Sequence, residues 1–215
     1  FKLAADVIMS EGIIAIKGIG GYQYVCSAVS ENAVKNLRML KKRNKKAFAV
    51  MFKDRSEVEL YYSLSDDEIK LLELPAWPIL LVEGKSGKFS VGVYGDSRFL
   101  GIFTAYTPLH YMLCEKCGPL VVTSANISGE MIITDHEEMQ AVKSEWLDGI
   151  LYNKRRITSH LDDSVAAILN GKIQFMRRSR GYVPVPVKLN KNIRKPVLAM
   201  GGDLKSVFCL CKGSY

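Results

Sequence analysis

Three short stretches of this sequence place basic or hydroxyl-bearing side chains beside small residues, a combination that suits the binding of an anion. In the first, Lys17 is followed by Gly18, Gly20 and Gly21. Glycine lets backbone N–H groups approach an anion closely, and the lysine ammonium would neutralise the anion. The spacing matches neither G-x-x-x-x-G-K-[ST] nor G-x-G-x-x-G, so it is not a standard nucleotide loop, and a plain turn explains the glycines equally well.

The second stretch is a basic run in which Lys41 and Arg43 end a predicted helix and Lys45 and Lys46 follow. The helix dipole favours cations at this position, which alone would explain them. A lysine point charge beside an arginine fork is also how proteins bind phosphate. Residues 32–53 carry eight basic side chains and no acid, which equals the whole formal net charge of +8. The run therefore predicts a local field for phosphate, a nucleotide or nucleic acid.

The third stretch follows an apolar strand and contains Thr123, Ser124, Asn126 and Ser128. In open α/β sheets, ligands bind in the crevice beyond the carboxyl ends of the strands. Small hydroxyl and amide side chains can orient polar groups there without filling the space. A loop of ordinary turn-forming residues is equally consistent with this composition.

A fourth place offers both signs of charge, because Asp162 and Asp163 precede a basic segment that contains Arg177, Arg178 and Arg180. Neighbouring carboxylates on a strand point to opposite faces, so they can share one Mg²⁺ only from a loop. Ion pairs with the arginines are the alternative. The three histidines are isolated in the sequence and none lies in a nucleophile elbow, so no catalytic triad is predicted.

Composition limits the class of protein. A chain of 215 residues with 48% hydrophobic and 24% charged residues is a globular domain, or one domain with part of another, rather than a disordered or fibrous protein. No apolar run is long enough to cross a membrane, and the first residues do not form a signal peptide. The chain begins without Met, which indicates a piece of a longer protein.

Five cysteines without a secretory signal favour free thiols in a reducing cytoplasm. Cys114 and Cys117 lie in an apolar helical segment, and Cys209 and Cys211 follow more than ninety residues later. This spacing disfavours a zinc site.

The elements that must position these side chains alternate along the chain. A hairpin is expected around Asn170-Gly171, and Thr134 to Glu137 has the spacing of a capping box. The pattern predicts an α/β fold with a twisted mixed sheet flanked by helices. Predicted strands cover residues 12–17, 47–52, 78–82 and 120–123, and predicted helices cover 4–9, 30–40, 65–74, 107–114 and 134–142.

The composition changes after Tyr182, where a segment with two prolines is followed by a polar, basic segment. Such a stretch usually links two domains. The residues after it predict a strand, a glycine turn and a second strand, too little to bury a core alone. We therefore expect a first domain at 1–188, and a linker with the truncated start of a second domain at 189–215.

Lys41-x-Arg43 together with Ser124-x-Asn126 resembles the K-x-R…S-x-N signature of the YrdC/Sua5 family. Within that family the sequence motifs are similar to those of the YrdC-like domain of the hydrogenase-maturation carbamoyltransferases, the HypF branch. VLAMGGDLKSVFCL resembles the start of the Kae1-like domain that follows there. The resemblance covers nearly the whole chain in order, through KGIGGYQYVCSA, LRMLKKRNKKAFAVMF, LGIFTAYTPLHYML, VVTSANISGE, RRITSHLDDSVA and MRRSRGYVPVPV.

The resemblance implies a YrdC-like fold with a basic concave face that binds ATP together with Mg²⁺. It implies adenylation of carbamate, derived from carbamoyl phosphate, to carbamoyl-adenylate. In the longer protein the carbamoyl group would pass to the C-terminal cysteine of a HypE-like partner during [NiFe]-hydrogenase maturation. No membrane takes part.

The resemblance also assigns roles to residues, with Lys17, Lys41 and Arg43 acting on carbamate and phosphates. Arg178 or Arg180 would close the site, and Mg²⁺ would arrive with ATP rather than on protein ligands. Nucleotide or carbamoyl contacts would come from Gly20, Gly21, Thr123, Ser124, Asn126, Ser128, Arg178 and Arg180.

The sequence departs from the branch at several positions. Tyr22-Gln23 stands where Phe-His is usual, so an imidazole is missing. Ala47 and Ala105 replace prolines, and Asn153 and His160 stand where His and Arg are expected.

Three alternatives stay open at this point. A threonylcarbamoyl-adenylate synthase for tRNA modification shares K-x-R and S-x-N, but should carry P-T-[ED]-T-x-Y-G where this chain has KGIGGYQ. A double-stranded RNA-binding module would show steeply salt-dependent binding. The third alternative is a non-catalytic interaction domain.

Overall fold

A computed structural model describes residues 1–84, 86–202 and 208–215, which form two compact units, Phe1–Gly181 and Tyr182–Tyr215. The domain assignment at 188/189 stays a prediction. The first unit contains the helices α1 (Lys2–Met9), α2 (Glu31–Lys41), α3 (Arg55–Glu59), α4 (Asp66–Leu72), α5 (Val91–Tyr94), α6 (Pro108–Cys117) and α7 (His136–Ala141). Its strands are β1 (Ile14–Lys17), β2 (Tyr22–Ser27), β3 (Ala49–Phe52), β4 (Ile79–Glu83), β5 (Phe99–Thr104), β6 (Leu120–Ser124), β7 (Gly149–Leu151), β8 (Val165–Leu169) and β9 (Lys172–Arg177).

Among the described residues, the strands of this unit form one nine-stranded sheet in the order β7-β1-β2-β6-β3-β5-β4-β8-β9. The pairs β1–β7, β3–β5 and β4–β8 are parallel, and the other neighbours are antiparallel. The mixed α/β sheet expected from the sequence is therefore confirmed.

The sheet is covered on both faces, as the burial of three successive residues in β3 and of every residue in β2 shows. In β3, Val50 and Phe52 pack with α2 and α5 on one face, whereas Met51 packs with α1 and α6 on the other. Alternation along a strand sends neighbouring side chains to opposite faces, so a strand buried throughout needs a layer on each side.

Local signals fix several element ends. The Ser30 hydroxyl accepts a hydrogen bond from the Ala33 N–H at 3.1 Å, as expected for the N-cap of α2. The hairpin between β8 and β9 turns at Asn170 and Gly171, whose φ values of 52° and 70° suit this pair. The capping box predicted at Thr134 is wrong, because Asp135 caps α7 by accepting from the Glu137 and Glu138 N–H groups.

The second unit contains an antiparallel pair, β10 (Ile193–Met200) and β11 (Phe208–Gly213). The two strands predicted for this segment are confirmed. Residues 203–207, where the sequence predicts the end of the turn and the start of the second strand, lie outside the described residues. Within the described part of the chain, none of the helices has the length and hydropathy that a membrane span requires.

Candidate active site

The sheet register brings three of the four candidate stretches to one edge. Lys17 at the end of β1 pairs with Tyr22 at the start of β2, and Gln23 pairs with Ser124 at the end of β6. Because β3 runs antiparallel to β6, the start of β3 lies beside the end of β6. The segment that connects α2 to β3 therefore lies at the same end of the strands. We call residues 42–47 of that segment the basic loop.

Lys41 joins α2 to the loop after β6. Its side chain is 1% exposed, and its ammonium donates to the backbone oxygens of Ser124 and Asn126 and to Asn126 Oδ1. The two Asn126 contacts measure 2.9 and 3.0 Å. In return the Ser128 N–H donates to the Lys41 carbonyl at 3.0 Å. The K-x-R and S-x-N motifs are thus in direct contact. The Lys41 ammonium, which was expected to bind phosphate, donates its hydrogen bonds to the loop after β6 instead.

The side chains of the S-x-N loop also bind one another. Ser124 Oγ donates to Asn126 Oδ1 at 2.6 Å, and Asn126 Nδ2 donates to the Glu130 carbonyl at 2.6 Å. Thr123 is half-buried and Ser128 is exposed. These bonds hold the loop in one conformation, with the Asn126 amide between Lys41 and Glu130.

Arg43 carries a charge that no carboxylate neutralises within the described residues. Its half-buried guanidinium donates to the Lys46 carbonyl at 3.3 Å and to the Ala47 carbonyl, and it lies 5.1 Å from the Phe48 ring centroid. Burial lowers the pKa of Arg43, and repulsion by Arg38 and Arg177 lowers it further. A bound anion would act in the opposite direction, because a nearby negative charge favours the charged guanidinium.

Lys17 lies in an aromatic setting. Its side chain is 9% exposed, and its ammonium donates to the Asn153 carbonyl at 3.3 Å and lies over the rings of Tyr22 and Tyr152. His136 stacks on Tyr152 with centroids 3.7 Å apart, and its Nδ1 lies 3.0 Å from Tyr22 Oη. Burial raises the pKa of Tyr22. His136 and Tyr152 were not predicted as site residues, because no local motif contains them.

The glycines after Lys17 are required by packing. The Gly18 N–H donates to the Gly21 carbonyl at 2.9 Å, which closes a tight turn. A Cβ at Gly20 would lie 2.3 Å from Leu161 Cβ, and one at Gly21 would lie 2.2 Å from Ile132 Cδ1. Nucleotide contacts by these glycines stay a prediction.

The fourth candidate stretch forms ion pairs. Arg180 is 9% exposed and donates from Nε and Nη2 to Asp163 Oδ1 at 3.1 and 2.7 Å, and from Nη2 to the Trp77 carbonyl. Arg177 lies 3.9 Å from Asp162. Burial raises the pKa of Asp163 even though Arg180 acts in the opposite direction. Arg178 is half-buried, and the roles of Arg178 and Arg180 in closing the site stay predictions.

A buried polar chain extends from this pair to β2. The Arg180 guanidinium lies 4.2 Å from the Tyr106 ring centroid, Gln23 Nε2 donates to Tyr106 Oη at 2.8 Å, and Gln23 Oε1 lies 3.1 Å from His110 Nε2. Burial, with a smaller effect from Arg180, lowers the pKa of His110 to about 4. Its imidazole is therefore neutral at pH 7, and the network assigns its proton to Nε2. We call this set the ion-pair network: Gln23, Tyr106, His110, Asp163 and Arg180.

The ion-pair network was not predicted from the sequence, although one signal was present. Gln23 is a polar residue inside the apolar run YQYVCS, and a buried amide needs partners. Two departures from the family pattern also have local contacts. Ala105 donates its N–H to the Phe52 carbonyl at 2.9 Å, a bond that proline could not make, and the Ala47 carbonyl accepts from Arg43.

The described residues include no group of three His, Cys, Asp or Glu side chains close enough to hold a metal ion. The five cysteines are free thiols, and burial raises the pKa of Cys114. A thiol that stays protonated is a poor nucleophile and a poor metal ligand.

The sequence profile of the Sua5–YciO–YrdC family, described as "Telomere recombination", matches residues 6–179. The chain belongs to this family. It is 38% identical over 213 residues to the carbamoyltransferase HypF of Synechocystis sp., covering 98% of this chain and 28% of that protein. The chain thus spans just over a quarter of that relative's length.

Two further similarities refine the assignment within the family. A crystal structure of full-length HypF in the phosphate- and nucleotide-bound form superposes with a TM-score of 0.89 at 40% identity, covering 100% of this chain and 34% of that one. A threonylcarbamoyl-AMP synthase of Coxiella burnetii is 27% identical over 152 residues, covering 69% of this chain and 82% of that protein. The likeness to HypF is therefore closer and extends over more of the chain.

Proposed function

We propose that this chain catalyses the ATP-dependent adenylation of carbamate. A carbamate oxygen attacks the α-phosphorus of ATP, the bond to the β-phosphate breaks, and the products are carbamoyl-adenylate and pyrophosphate. The observation that carries the proposal is the contact of Lys41 with Ser124 and Asn126, beside an Arg43 that no carboxylate neutralises among the described residues. The likeness to a HypF solved with phosphate and nucleotide supports the choice of ligand.

The residues act by charge and position. Negative charge grows on the phosphate oxygens as the pyrophosphate leaves, and a fixed cation in a partly buried site stabilises it more than water does. Arg43 supplies such a cation, and Lys17 supplies a second at the end of β1. Lys41 keeps the S-x-N loop in register, so that Ser124 and Asn126 meet the substrate in one orientation. No protein nucleophile takes part.

ATP would carry Mg²⁺ into the site on its own phosphates. Within the described part of the chain, no three His, Cys, Asp or Glu side chains lie close enough together to hold the ion by themselves, and Asp163 is paired with Arg180.

In the longer protein, we propose that carbamate comes from carbamoyl phosphate and that the carbamoyl group passes to a cysteine of a HypE-like acceptor. The likeness to carbamoyltransferases supports this part of the proposal. Because the chain spans 28% of that relative's length, both steps would require regions outside it.

The main alternative is synthesis of threonylcarbamoyl-adenylate, which the likeness to the Coxiella enzyme favours. That reaction has the same α-phosphorus chemistry and differs in the attacking carbamate, which carries threonine on its nitrogen. Addition of threonine separates the two, since only a threonylcarbamoyl-adenylate synthase needs it.

Carbamate-dependent exchange of pyrophosphate into ATP tests the proposal. We expect exchange by the 215-residue chain without threonine, and a loss of about 100-fold in the Arg43→Ala, Asn126→Ala double variant, the range found for removing transition-state donors. Lys45→Ala removes an exposed charge from the same loop and should stay within about threefold of wild type.

Equal exchange in the wild type and the double variant would contradict the site. No exchange by a wild type that binds ATP would contradict the reaction. Tight, salt-sensitive binding of double-stranded RNA without ATP binding would favour an RNA-binding role instead.

A further inference from the structure

Arg38 lies one turn before Lys41 on α2, and its guanidinium is surrounded by backbone carbonyls. Nε and Nη2 donate to the Gly92 carbonyl at 2.8 and 2.5 Å, and Nη1 donates to the Arg43 carbonyl at 2.6 Å. Longer bonds reach the carbonyls of Asn44 at 3.2 Å and Lys46 at 3.3 Å. One side chain thus binds three carbonyls of the basic loop and one on α5.

These bonds determine how the basic loop folds. The remaining carbonyl between Arg43 and Lys46, that of Lys45, accepts from the Asp96 N–H at 2.9 Å. Every carbonyl from residue 43 to 46 is therefore bound on the protein side, while the side chains of Lys45 and Lys46 are exposed. A run of cations repels itself, so a loop of this composition needs such anchors to keep one conformation.

Arg38 and Arg43 also share one aromatic neighbour. The two guanidinium carbons lie 4.8 and 5.1 Å from the ring centroid of Phe48, which is 1% exposed. A Cβ at Gly95 would lie 2.1 Å from the Lys45 carbonyl oxygen and 3.1 Å from Arg38 Nη2. The loop therefore leaves no room for a side chain at Gly95, where it packs against Lys45 and Arg38.

We propose that Arg38 is a positioning residue that fixes the basic loop and thereby holds Arg43 where it meets the phosphates. Arg38 itself does not touch the nucleotide, because its donors are directed at carbonyls. The second half of this inference rests on the proposed ATP site, whereas the first half concerns the loop alone and is tested without ATP.

Glu31 provides a matched control on the same helix. Its carboxylate accepts from Ser90 Oγ and from the Val91 N–H, both at 2.8 Å, so it also ties α2 to the start of α5. Glu31→Gln loosens that tie but leaves the basic loop untouched. An effect seen in both the Glu31 and the Arg38 variants is due to the lost contact between α2 and α5. An effect seen only in the Arg38 variants is due to the lost contacts with the basic loop.

Trypsin without nucleotide tests the first half, since the basic loop contains four cleavable residues, Lys42, Arg43, Lys45 and Lys46. We expect cleavage within the loop to be at least tenfold faster in Arg38→Gln than in wild type, and unchanged in Glu31→Gln. Equal cleavage of wild type and Arg38→Gln overturns the proposal. Arg38→Lys keeps the charge but cannot bind four carbonyls, so its loop should also be cleaved faster, which covers a failure of Arg38→Gln to fold.

Steady-state exchange tests the second half. We expect Arg38→Lys to lower kcat about tenfold, because Arg43 would no longer meet the charge that grows in the transition state, and Glu31→Gln to change neither kcat nor KM for ATP. Wild-type kcat in Arg38→Lys would mean that charge alone matters and would overturn the positioning role. If the wild type fails to bind ATP while the trypsin result holds, the proposed function fails and the role of Arg38 in the loop stands.

Discussion

The ion-pair network and the basic loop hold their arginines in opposite ways. Arg180 faces Asp163 at 2.7 Å, so the pair has no net charge. Arg43 is bound by neutral carbonyls and is repelled by Arg38 and Arg177, so its charge stays uncompensated within the described residues. Unit charges 4 Å apart interact by about 4 kcal/mol at an effective dielectric constant of 20. The presence or absence of a carboxylate partner therefore affects an arginine more than a typical hydrogen bond does. Whether an arginine in a family motif can bind an anion therefore depends on the partners that its side chain already has.

The largest expected effect is a difference in the free energy of unfolding between variants of the two regions. Arg180→Gln leaves Asp163 buried without its partner and should lower the free energy of unfolding by about 4 kcal/mol. Arg43→Gln removes a repelled cation and should lower it by less than about 1 kcal/mol, because no carboxylate is orphaned. Urea unfolding measures both values. If the two losses were equal, the distinction between the regions would be lost.

The next effect concerns the lysine that joins the basic loop to β6. Lys41→Met keeps the length of the stem but leaves the carbonyls of Ser124 and Asn126 without their donor, which should lower the free energy of unfolding by about 3 kcal/mol. Exchange activity should fall with it because the S-x-N loop is released. Lys42→Met, at the exposed neighbour, serves as the control and should change both by little. An Lys41 variant as stable as this control contradicts the anchoring role.

The ion-pair network also predicts a pH dependence. The pKa of His110 is lowered from 6.5 to about 4, so the unfolded chain takes up this proton before the folded protein does. The contribution of neutral His110 to the free energy of unfolding is complete above pH 6.5. About 3 kcal/mol of it is lost as the pH falls towards 4. Asp163 has a raised pKa and acts in the opposite direction. The difference between wild type and His110→Gln in urea unfolding at several pH values isolates the histidine, and parallel curves would contradict this prediction.

The smallest effect concerns packing rather than charge. Leu161, which precedes the aspartates of the fourth stretch, closes over Gly20, so Gly20→Ala should lower the free energy of unfolding by about 2 kcal/mol. Gly149→Ala in β7 meets no atom within 4 Å and should change it by less than about 0.5 kcal/mol. Thermal unfolding of the two variants side by side gives the comparison. Similar midpoints would mean that Leu161 moves freely aside.

Elements with a local signal were predicted correctly from the sequence. The Ser30 cap, the apolar run of β3 and the Asn170-Gly171 turn each depend on residues within a few positions of one another. β2 was missed because Gln23 interrupts its apolar pattern. The partners that make this burial possible, Tyr106 and His110, lie 83 and 87 residues away in sequence.

The site itself was only partly predictable. The contact of Lys41 with Asn126, across 85 residues, could be expected only through the family signature, and the structure supplies the atoms involved. The pairing of Asp163 with Arg180 was one of two alternatives, and sequence alone does not rank an ion pair above a metal site. Arg38 had no assigned role, because its partners are backbone carbonyls, which no side-chain pattern records.

The position of β1 affects how the protein is made. This strand pairs with β2 on one side and with β7 on the other, and Lys17 at its end contacts Asn153, 136 residues later in the chain. At ribosomal rates the second partner is synthesised on the order of 10 s after the first. During that interval one side of a short apolar strand has no partner and can pair with another nascent chain. β1 therefore stays an open side of the growing sheet until β7 has been synthesised.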